Sequence, residues 1–161
     1  MAKVLKSSKI SIKCPDGFHV MTTEELKKNH MYTGIAQWCV TDPVRQLILS
    51  VTWKEKHSGL RGLVDNSLGT KEISREMQRK MAKGMRGFQY KLDGFTVWKL
   101  DGKRADGFLY HYTLQGLPMF GEYLAVKKDN LVYYLNYYAK ADNEVESREI
   151  FKDMLASLKW V

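Results

Sequence analysis

Residues 103–140 run KRADGFLYHYTLQGLPMFGEYLAVKKDNLVYYLNYYAK, and this stretch decides the fold. It contains three apolar and aromatic runs, namely Phe108–Leu114, Met119–Val126 and Leu131–Ala139. Each run has the usual length of a β-strand. Gly116-Leu117-Pro118 lies between the first two runs, and Asp129-Asn130 lies between the last two. Asp and Asn tolerate the positive φ of tight hairpin turns, so Asp129-Asn130 is a candidate turn. The stretch therefore predicts a three-stranded antiparallel meander at the centre of a sheet.

Both faces of the predicted meander are rich in apolar and aromatic residues. Tyr110 alternates with His111 in the first run, and in the last run Tyr134 and Tyr138 fall on the face opposite Tyr133. A sheet with one face in water alternates cleanly between apolar and polar residues. We therefore expect both faces to be covered at least in part, with amphipathic helices elsewhere in the chain as the covers.

Composition and charge are those of a globular protein. The chain has 161 residues, of which 44% are hydrophobic and 27% charged, and it predicts a single domain, 1–161. No apolar run approaches the ~20 residues of a membrane span, and the N-terminus lacks the apolar segment of a secretory signal. Cys14 and Cys39 are expected to be buried thiols, so we predict a cytoplasmic protein. The formal net charge of +8 permits an acidic partner.

The first part of the chain predicts strands separated by a short helix. Three strands are predicted, at Ile10–Cys14, Ile35–Thr41 and Gln46–Lys54. Thr22 and Glu25 have the spacing of a capping box, in which a hydroxyl and a carboxylate satisfy the first backbone N–H groups of a helix. This spacing predicts a helix from Thr23 to His30.

The remaining elements complete an α+β chain. Asp93-Gly94 is a strong hairpin signal and predicts a turn between strands Phe88–Leu92 and Phe95–Leu100. The chain ends in a predicted helix, from Asn143 to Leu158. Its predicted buried side consists of Val145, Ile150, Phe151, Met154, Leu155 and Leu158. Adjacent strands joined by hairpins imply a mainly antiparallel sheet, with the helices as separate covers.

This order of elements resembles the Mog1/PsbP-like fold group. The resemblance rests on Cys14-Pro-Asp-Gly-Phe18 after the opening strand, on the capped helix, on a second helix before the meander and on the terminal helix with Phe151–Leu158. Proteins with this fold are described as accessory or binding proteins, such as a photosystem extrinsic subunit and a small-GTPase partner. The resemblance implies a non-catalytic binding module. No residue-level motif matches, so no partner or site residue is carried over.

The second helix, predicted from Thr70 to about Met85, is strongly basic. Its apolar stripe consists of Ile73, Met77, Met81 and Met85. Its basic ridge consists of Arg75, Arg79, Lys83 and Arg86, which fall within about a quarter-turn of one another. A solvated helix face explains this ridge. The alternative is a surface that faces an anionic partner, which would be nucleic acid, lipid headgroups or an acidic protein.

The sequence contains no established catalytic, metal or cofactor motif. No His or Cys pair has zinc-ligand spacing, and no nucleophile elbow, P-loop or dinucleotide-binding loop occurs, so no catalytic residue, metal or cofactor is predicted. His57 opens a glycine-rich loop, whereas His111 is expected to be a hydrogen-bonded histidine within a strand. Tyr134 and Tyr138 are candidates to line a cleft. The competing hypothesis is therefore a small enzyme or small-molecule binder that uses this cleft with His57 or His111.

Overall fold

The computed structural model describes residues 2–28, 38–55, 71, 75, 89–114 and 116–161. Ten strands are present in this part of the chain: β1 (Lys3–Lys6), β2 (Ile10–Cys14), β3 (His19–Val20), β4 (Trp38–Asp42), β5 (Leu47–Glu55), β6 (Gln89–Leu100), β7 (Lys103–Leu114), β8 (Leu117–Lys128), β9 (Leu131–Lys140) and β10 (Lys159–Trp160). The helices are α1 (Thr23–Lys28) and α2 (Glu144–Ala156), the latter preceded by a 3-10 turn at Ala141–Asn143. Lys71 and Arg75 also have helical backbone conformation.

The predicted meander is confirmed: β7, β8 and β9 are neighbouring strands within a seven-stranded sheet. The order of the strands is β3-β4-β5-β9-β8-β7-β6, and every neighbouring pair is antiparallel. Asp129 has a φ of 57° in the turn between β8 and β9, the conformation that an aspartate in a tight turn tolerates. Gly116 has a φ of 79° before β8, but Leu117 and Pro118 already belong to that strand. The fold class is α+β, as predicted.

The predicted hairpin at Asp93-Gly94 is wrong. β6 is one continuous strand of 12 residues, and its register with β7 shifts between Leu92 and Gly94, which marks a β-bulge at Asp93. The turn is formed instead by Asp101-Gly102, whose φ angles are 44° and 86°. Both Asp-Gly pairs have the same local preference. The long pairing with β7, which a local pattern does not contain, selects the second.

A second, three-stranded sheet of order β1-β2-β10 was not predicted. β1 pairs with one side of β2 over four residues, and β10 pairs with the other side over two. Strands this short are too brief to produce a recognisable alternation. The sheet nevertheless matters to the core, because Ile10 and Ile12 of β2 are completely buried in it.

The main core lies between the seven-stranded sheet, α2 and the small sheet, and we call this side of the larger sheet the helix face. Phe151 of α2 stacks on Tyr137 of β9 with ring centroids 4.3 Å apart. Met154 and Leu155 are buried beside it. The prediction that Val145 belongs to this buried side is wrong, because Val145 is 81% exposed. At 100° per residue it lies about 120° around the helix from Phe151.

The opposite side of the larger sheet, which we call the aromatic face, carries a second buried cluster. Phe108, Tyr110 and Tyr112 of β7 form its centre. Tyr90 and Met119, on the neighbouring strands, pack against them and are partly buried. Burial on both sides of β7 confirms the prediction that neither face of the meander is left open to water.

Candidate functional site

The aromatic face brings together the tyrosines that the sequence singled out. Register places Tyr134 and Tyr138 of β9 on this face, whereas Tyr133 and Tyr137 belong to the main core. Tyr138 is buried and Tyr134 is half-buried. The Tyr134 ring lies 6.0 Å from that of Tyr123 on β8. The alternation therefore separated the two sets of tyrosines correctly, and whether they line a cleft stays a prediction.

Tyr110 at the centre of this face is fixed by a hydrogen bond and by a glycine. Its hydroxyl donates to Oδ1 of Asn136 over 2.7 Å. A Cβ atom on Gly121 would lie only 2.5 Å from that hydroxyl, so the ring crosses β8 where there is no side chain. Burial raises the pKa of Tyr110 and of Tyr123. Both phenols therefore stay protonated at neutral pH and are structural groups rather than general bases.

An exposed row of apolar side chains lies where the aromatic face reaches the edge strand β6. This apolar edge row consists of Leu92, Phe95 and Val97, which are 38%, 51% and 64% exposed. Their partners on β7 include Tyr110 and Phe108, so the row continues the buried aromatic cluster outward. Sequence reasoning missed the row, because the predicted hairpin divided these residues between two strands.

Basic side chains surround the apolar edge row. The ammonium group of Lys71 lies 5.6 Å from the centroid of the Phe95 ring, a cation–π arrangement. Lys91 and Lys99 are exposed on β6 itself. Of the predicted basic ridge, Arg75 is described and is exposed. The remaining predicted site residues, Arg79, Lys83, Arg86 and His57, lie outside the described residues.

His111 lies on the helix face in a group that we call the polar clasp, formed by Asp93, His111, Glu144 and Arg148. Nδ1 of His111 contacts Asp93, and Nε2 lies 2.5 Å from Oε1 of Glu144. Arg148 Nε donates to the other oxygen of Glu144 over 2.9 Å. The expected hydrogen-bonded strand histidine is confirmed.

The structure places His111 on the opposite side of the sheet from Tyr134 and Tyr138. The pairing of β7 with β8 puts His111 opposite Phe120, on the helix face, whereas the two tyrosines lie on the aromatic face. The sheet itself separates the imidazole from the phenols. A side chain within a strand cannot reach a group on the opposite face, because successive side chains point to opposite sides.

Glu122 is a buried carboxylate that sequence reasoning missed. It is only 2% exposed, and it accepts hydrogen bonds from Thr96 Oγ1, Trp98 Nε1 and the Tyr137 hydroxyl over 2.7, 2.9 and 2.7 Å. Burial, and then the charge of Glu122, raise the pKa of Tyr137. The carboxylate therefore faces only protonated donors. The signal in the sequence is a single acidic residue within the apolar run of β8.

The described residues offer little for metal or thiol chemistry. None of their His, Cys, Asp and Glu side chains form a group of three suited to a metal ion. In the polar clasp, Asp93 and Glu144 sit on opposite nitrogens of His111 and do not converge on one point. Cys14 and Cys39 are free and buried. Burial raises their pKa values to about 11 and about 12, so neither is a thiolate nucleophile at neutral pH.

A shallow cleft of about 250 Å³ lies between the β4–β5 turn and the start of α2. Its lining combines Arg45 and Lys140 with Asp142 and Glu146. It contains none of the predicted site residues and no histidine or cysteine. The cleft therefore gives no support to an active site built on the side chains that the sequence singled out.

Comparison with known proteins bears on the fold. No protein-family model and no curated protein matches the sequence. Among solved structures, PsbP (CyanoP) from Synechocystis matches with a TM-score of 0.70 and 12% identity, covering 99% of this chain and 92% of that one. The Ran-binding protein Mog1p of Saccharomyces cerevisiae matches with a TM-score of 0.61 and 8% identity, covering 99% and 95%. The chain has the Mog1/PsbP-like fold.

A third solved structure is also similar to this chain. LpqN of Mycobacterium tuberculosis, described as involved in cell envelope biogenesis, matches with a TM-score of 0.62 and 15% identity, covering 94% of this chain and 83% of that one. At identities this low the likeness shows the fold alone, and the functional residues of this chain follow from its own geometry. No helix in the described part of the chain is long and apolar enough to cross a bilayer.

Proposed function

We propose that this chain is a non-catalytic binding module that recognises an acidic surface of a partner protein. The observation that carries the proposal is the position of Lys71, whose ammonium group lies over Phe95. Lys71 opens the predicted basic helix, and Phe95 is the centre of the apolar edge row. Exposed apolar side chains next to cationic ones give an interface an apolar core and a charged rim.

The charge of the molecule supports an acidic partner. The formal net charge is +8, Lys71 lies beside Phe95, and Lys91 and Lys99 are exposed on β6, while Arg75 is exposed on the predicted basic helix. Such a field attracts acidic surfaces from a distance and speeds their association. The buried phenols of Tyr110 and Tyr123 and the buried thiol of Cys39 have raised pKa values, so these three groups supply no base or nucleophile at neutral pH.

The exposed side chains favour a protein over a nucleic acid. Proteins that bind single strands stack bases on exposed aromatic rings. Here Tyr110, Tyr112 and Tyr138 are buried, and two of the three side chains of the apolar edge row are the aliphatic Leu92 and Val97. The Mog1/PsbP-like fold is compatible with a protein partner, since Mog1p is itself described as Ran-binding. We place the module in the cytoplasm, where its two free thiols would stay reduced.

Charge reversal of the basic ridge tests this proposal. Replacing Arg75, Arg79 and Lys83 by Glu should leave the fold intact, as judged by circular dichroism. The matched control replaces the exposed Lys3, Lys13 and Lys152 by Glu, which changes the net charge equally on other surfaces. The probes are poly-L-glutamate, single-stranded DNA and phosphatidylserine vesicles.

We expect wild-type protein to bind poly-L-glutamate at low salt, and binding to weaken as salt screens the charges. The ridge variant should lose about tenfold or more in affinity, and the control variant should lose much less. If the wild-type protein binds DNA or the vesicles more tightly than poly-L-glutamate, the proposed acidic protein partner is wrong, and that probe identifies the class of partner. Equal loss in both variants, or no binding of any probe, would show that the ridge is a solvated helix face.

A further inference from the structure

We infer that the outer edge of β6 binds an extended, acidic segment of the partner protein, which adds to the sheet as a further strand. This inference rests on the proposed function and specifies the place, the shape and the chemistry of the contact. It commits to a partner segment with alternating acidic and apolar residues.

The position of β6 in the sheet provides the backbone groups for this contact. β6 is the last strand in the order of the seven-stranded sheet, and among the described strands none pairs with its outer side. No backbone hydrogen bond between described residues crosses that edge. An edge strand presents alternate N–H and C=O groups outward, and an extended peptide satisfies them by pairing.

Among the described residues, contacts from β10 are made at the far end of β6. The Trp160 indole donates to the carbonyl oxygen of Leu100 over 2.9 Å, and the backbone N–H of Trp160 donates to Asp101. The part of the edge that we propose for binding therefore runs from Lys91 to about Lys99, where no described strand pairs with it. It matches the length of an ordinary strand.

The apolar edge row supplies side-chain contacts along this part of the edge. Leu92, Phe95 and Val97 lie on the aromatic face, so alternate side chains of an added strand would pack against them. Pairing would remove from water part of the side chains of Phe95 and Val97, which are 51% and 64% exposed. Burial of apolar surface gives the contact a driving force beyond its hydrogen bonds.

The polar clasp holds this edge in a defined conformation before any partner arrives. Asp93 is the bulge residue between Leu92 and Gly94, and its carboxylate contacts His111 on the next strand. Nζ of Lys91 lies 3.9 Å from Oδ1, the other carboxylate oxygen of Asp93. A strand that is already ordered loses less conformational entropy on binding.

Charge selects the occupant. Lys91 lies on the helix face of the edge, and Lys99 and Lys71 lie beside the apolar edge row on the aromatic face, so positive charge is present on both sides of the edge. The carboxylate of Asp93 is already engaged by His111. A second copy of this chain would bring the same lysines to the contact, and like charges on paired strands repel. The edge lysines thus disfavour pairing with a second copy of this chain and favour pairing with an acidic strand.

The experiment uses a capped peptide of alternating Glu and Val as the probe. One control peptide carries Lys in place of Glu. A second carries N-methyl groups on alternate amides, which removes backbone donors while keeping the side chains. We expect the Glu peptide to bind the full chain and to slow amide hydrogen exchange within residues 91–99. The two control peptides should bind at least about tenfold more weakly.

Two sets of variants locate the contact. The double variant Phe95→Thr with Val97→Thr places a residue with high strand propensity at both positions and should lose about tenfold in affinity. Its control is Val145→Thr, an exposed valine on α2. The double variant Lys91→Glu with Lys99→Glu should reverse the preference, so that the Lys peptide binds better than the Glu peptide. Its control is Lys152→Glu on α2.

The outcomes separate this inference from the proposed function. Protection of amides outside β6, equal binding of the N-methylated peptide, or failure of the Glu peptide to bind would overturn the inference. A concentration-dependent dimer that the Val97→Thr variant loses would identify a second copy as the occupant and overturn it as well. If the basic ridge variant loses binding to poly-L-glutamate while both β6 variants bind the peptide like wild type, the proposed function stands and the edge contact falls.

Discussion

At the scale of single residues, Gly121 is the position where the aromatic face has least space. A Cβ atom there would lie 2.5 Å from the Tyr110 hydroxyl and 2.8 Å from the backbone oxygen of Tyr137. The backbone oxygen cannot turn away as a flexible side chain can. Gly121→Ala should therefore force Tyr110 off its site and cost about 1–3 kcal/mol in the free energy of unfolding, measured by urea denaturation.

Gly94→Ala is the matched control for this substitution, because no atom lies within 4 Å of the added Cβ and the residue sits in the same sheet. It should change the free energy of unfolding by less than about 1 kcal/mol. An equal effect of the two substitutions would mean that loss of glycine, rather than contact with Tyr110, is responsible.

Glu122 tests whether the buried carboxylate stabilises the sheet through its donors. In Glu122→Gln an amide NH₂ group replaces one oxygen. Turned toward Trp98, it would face an indole N–H that cannot accept; turned toward Tyr137, it would make the hydroxyl accept and leave the phenol hydrogen without this acceptor. An unmatched buried donor costs about 1–3 kcal/mol. We expect a loss of that size in urea denaturation, against little change for Glu146→Gln on the exposed side of α2. Equal stability of the two variants would contradict the network.

At the scale of elements, the polar clasp fastens the first turn of α2 to β7 and β6. Burial acts to raise the pKa of Glu144, but hydrogen bonds and charges from His111 and Arg148 outweigh it, so the pKa lies below its usual 4.5. A carboxyl with a lowered pKa contributes stability that is present above its unfolded pKa. This contribution is lost as the pH falls through the folded pKa.

We therefore expect wild-type protein to be more stable than Glu144→Gln at pH 7, and the difference to shrink as the pH falls below about 4.5. Urea denaturation of both proteins across this pH range measures it. Glu149→Gln, an exposed acid on the same helix, is the control. A difference that stays constant into the acid range would mean that Glu144 stabilises the helix without its charge.

Elements were predictable from the sequence where local signals and long-range pairing agree. In the meander, alternation and the Asp129-Asn130 turn both favour the observed strands, and the Mog1/PsbP-like fold followed from their order. At Asp93-Gly94 the local signal conflicts with pairing: β7 continues past this dipeptide, so β6 absorbs it as a bulge. β10 has only two residues and depends entirely on its contact with β2.

The candidate site was less predictable than the fold, because exposure and contacts between distant residues decide it. Alternation correctly put Tyr134 and Tyr138 on one face, yet it could not show that Tyr138 is buried. It also could not show that Phe95, which looks like a core residue, is half exposed on an edge strand. The contact of His111 with Glu144 joins residues 33 positions apart.

At the scale of the whole molecule, one sheet separates two apolar clusters, and we propose that both belong to a single cooperative domain. Four tryptophans are present in the chain, and all of them pack with the main core on the helix face: Trp38, Trp53, Trp98 and Trp160. Tyr110, Tyr112 and Phe108 form the cluster on the other face. Tryptophan fluorescence therefore reports on one side of the sheet alone.

Phe108→Leu changes only the aromatic face, where the ring is fully buried and stacks on Tyr123 at 5.5 Å. It should lower the free energy of unfolding by about 1–2 kcal/mol through lost packing. If the two clusters unfold together, the urea midpoint from tryptophan fluorescence should fall by the same amount as the midpoint from far-ultraviolet circular dichroism. Val145→Thr should move neither midpoint. A fluorescence midpoint that stays at its wild-type value while the dichroism midpoint falls would divide the molecule into two units that unfold separately at the shared sheet.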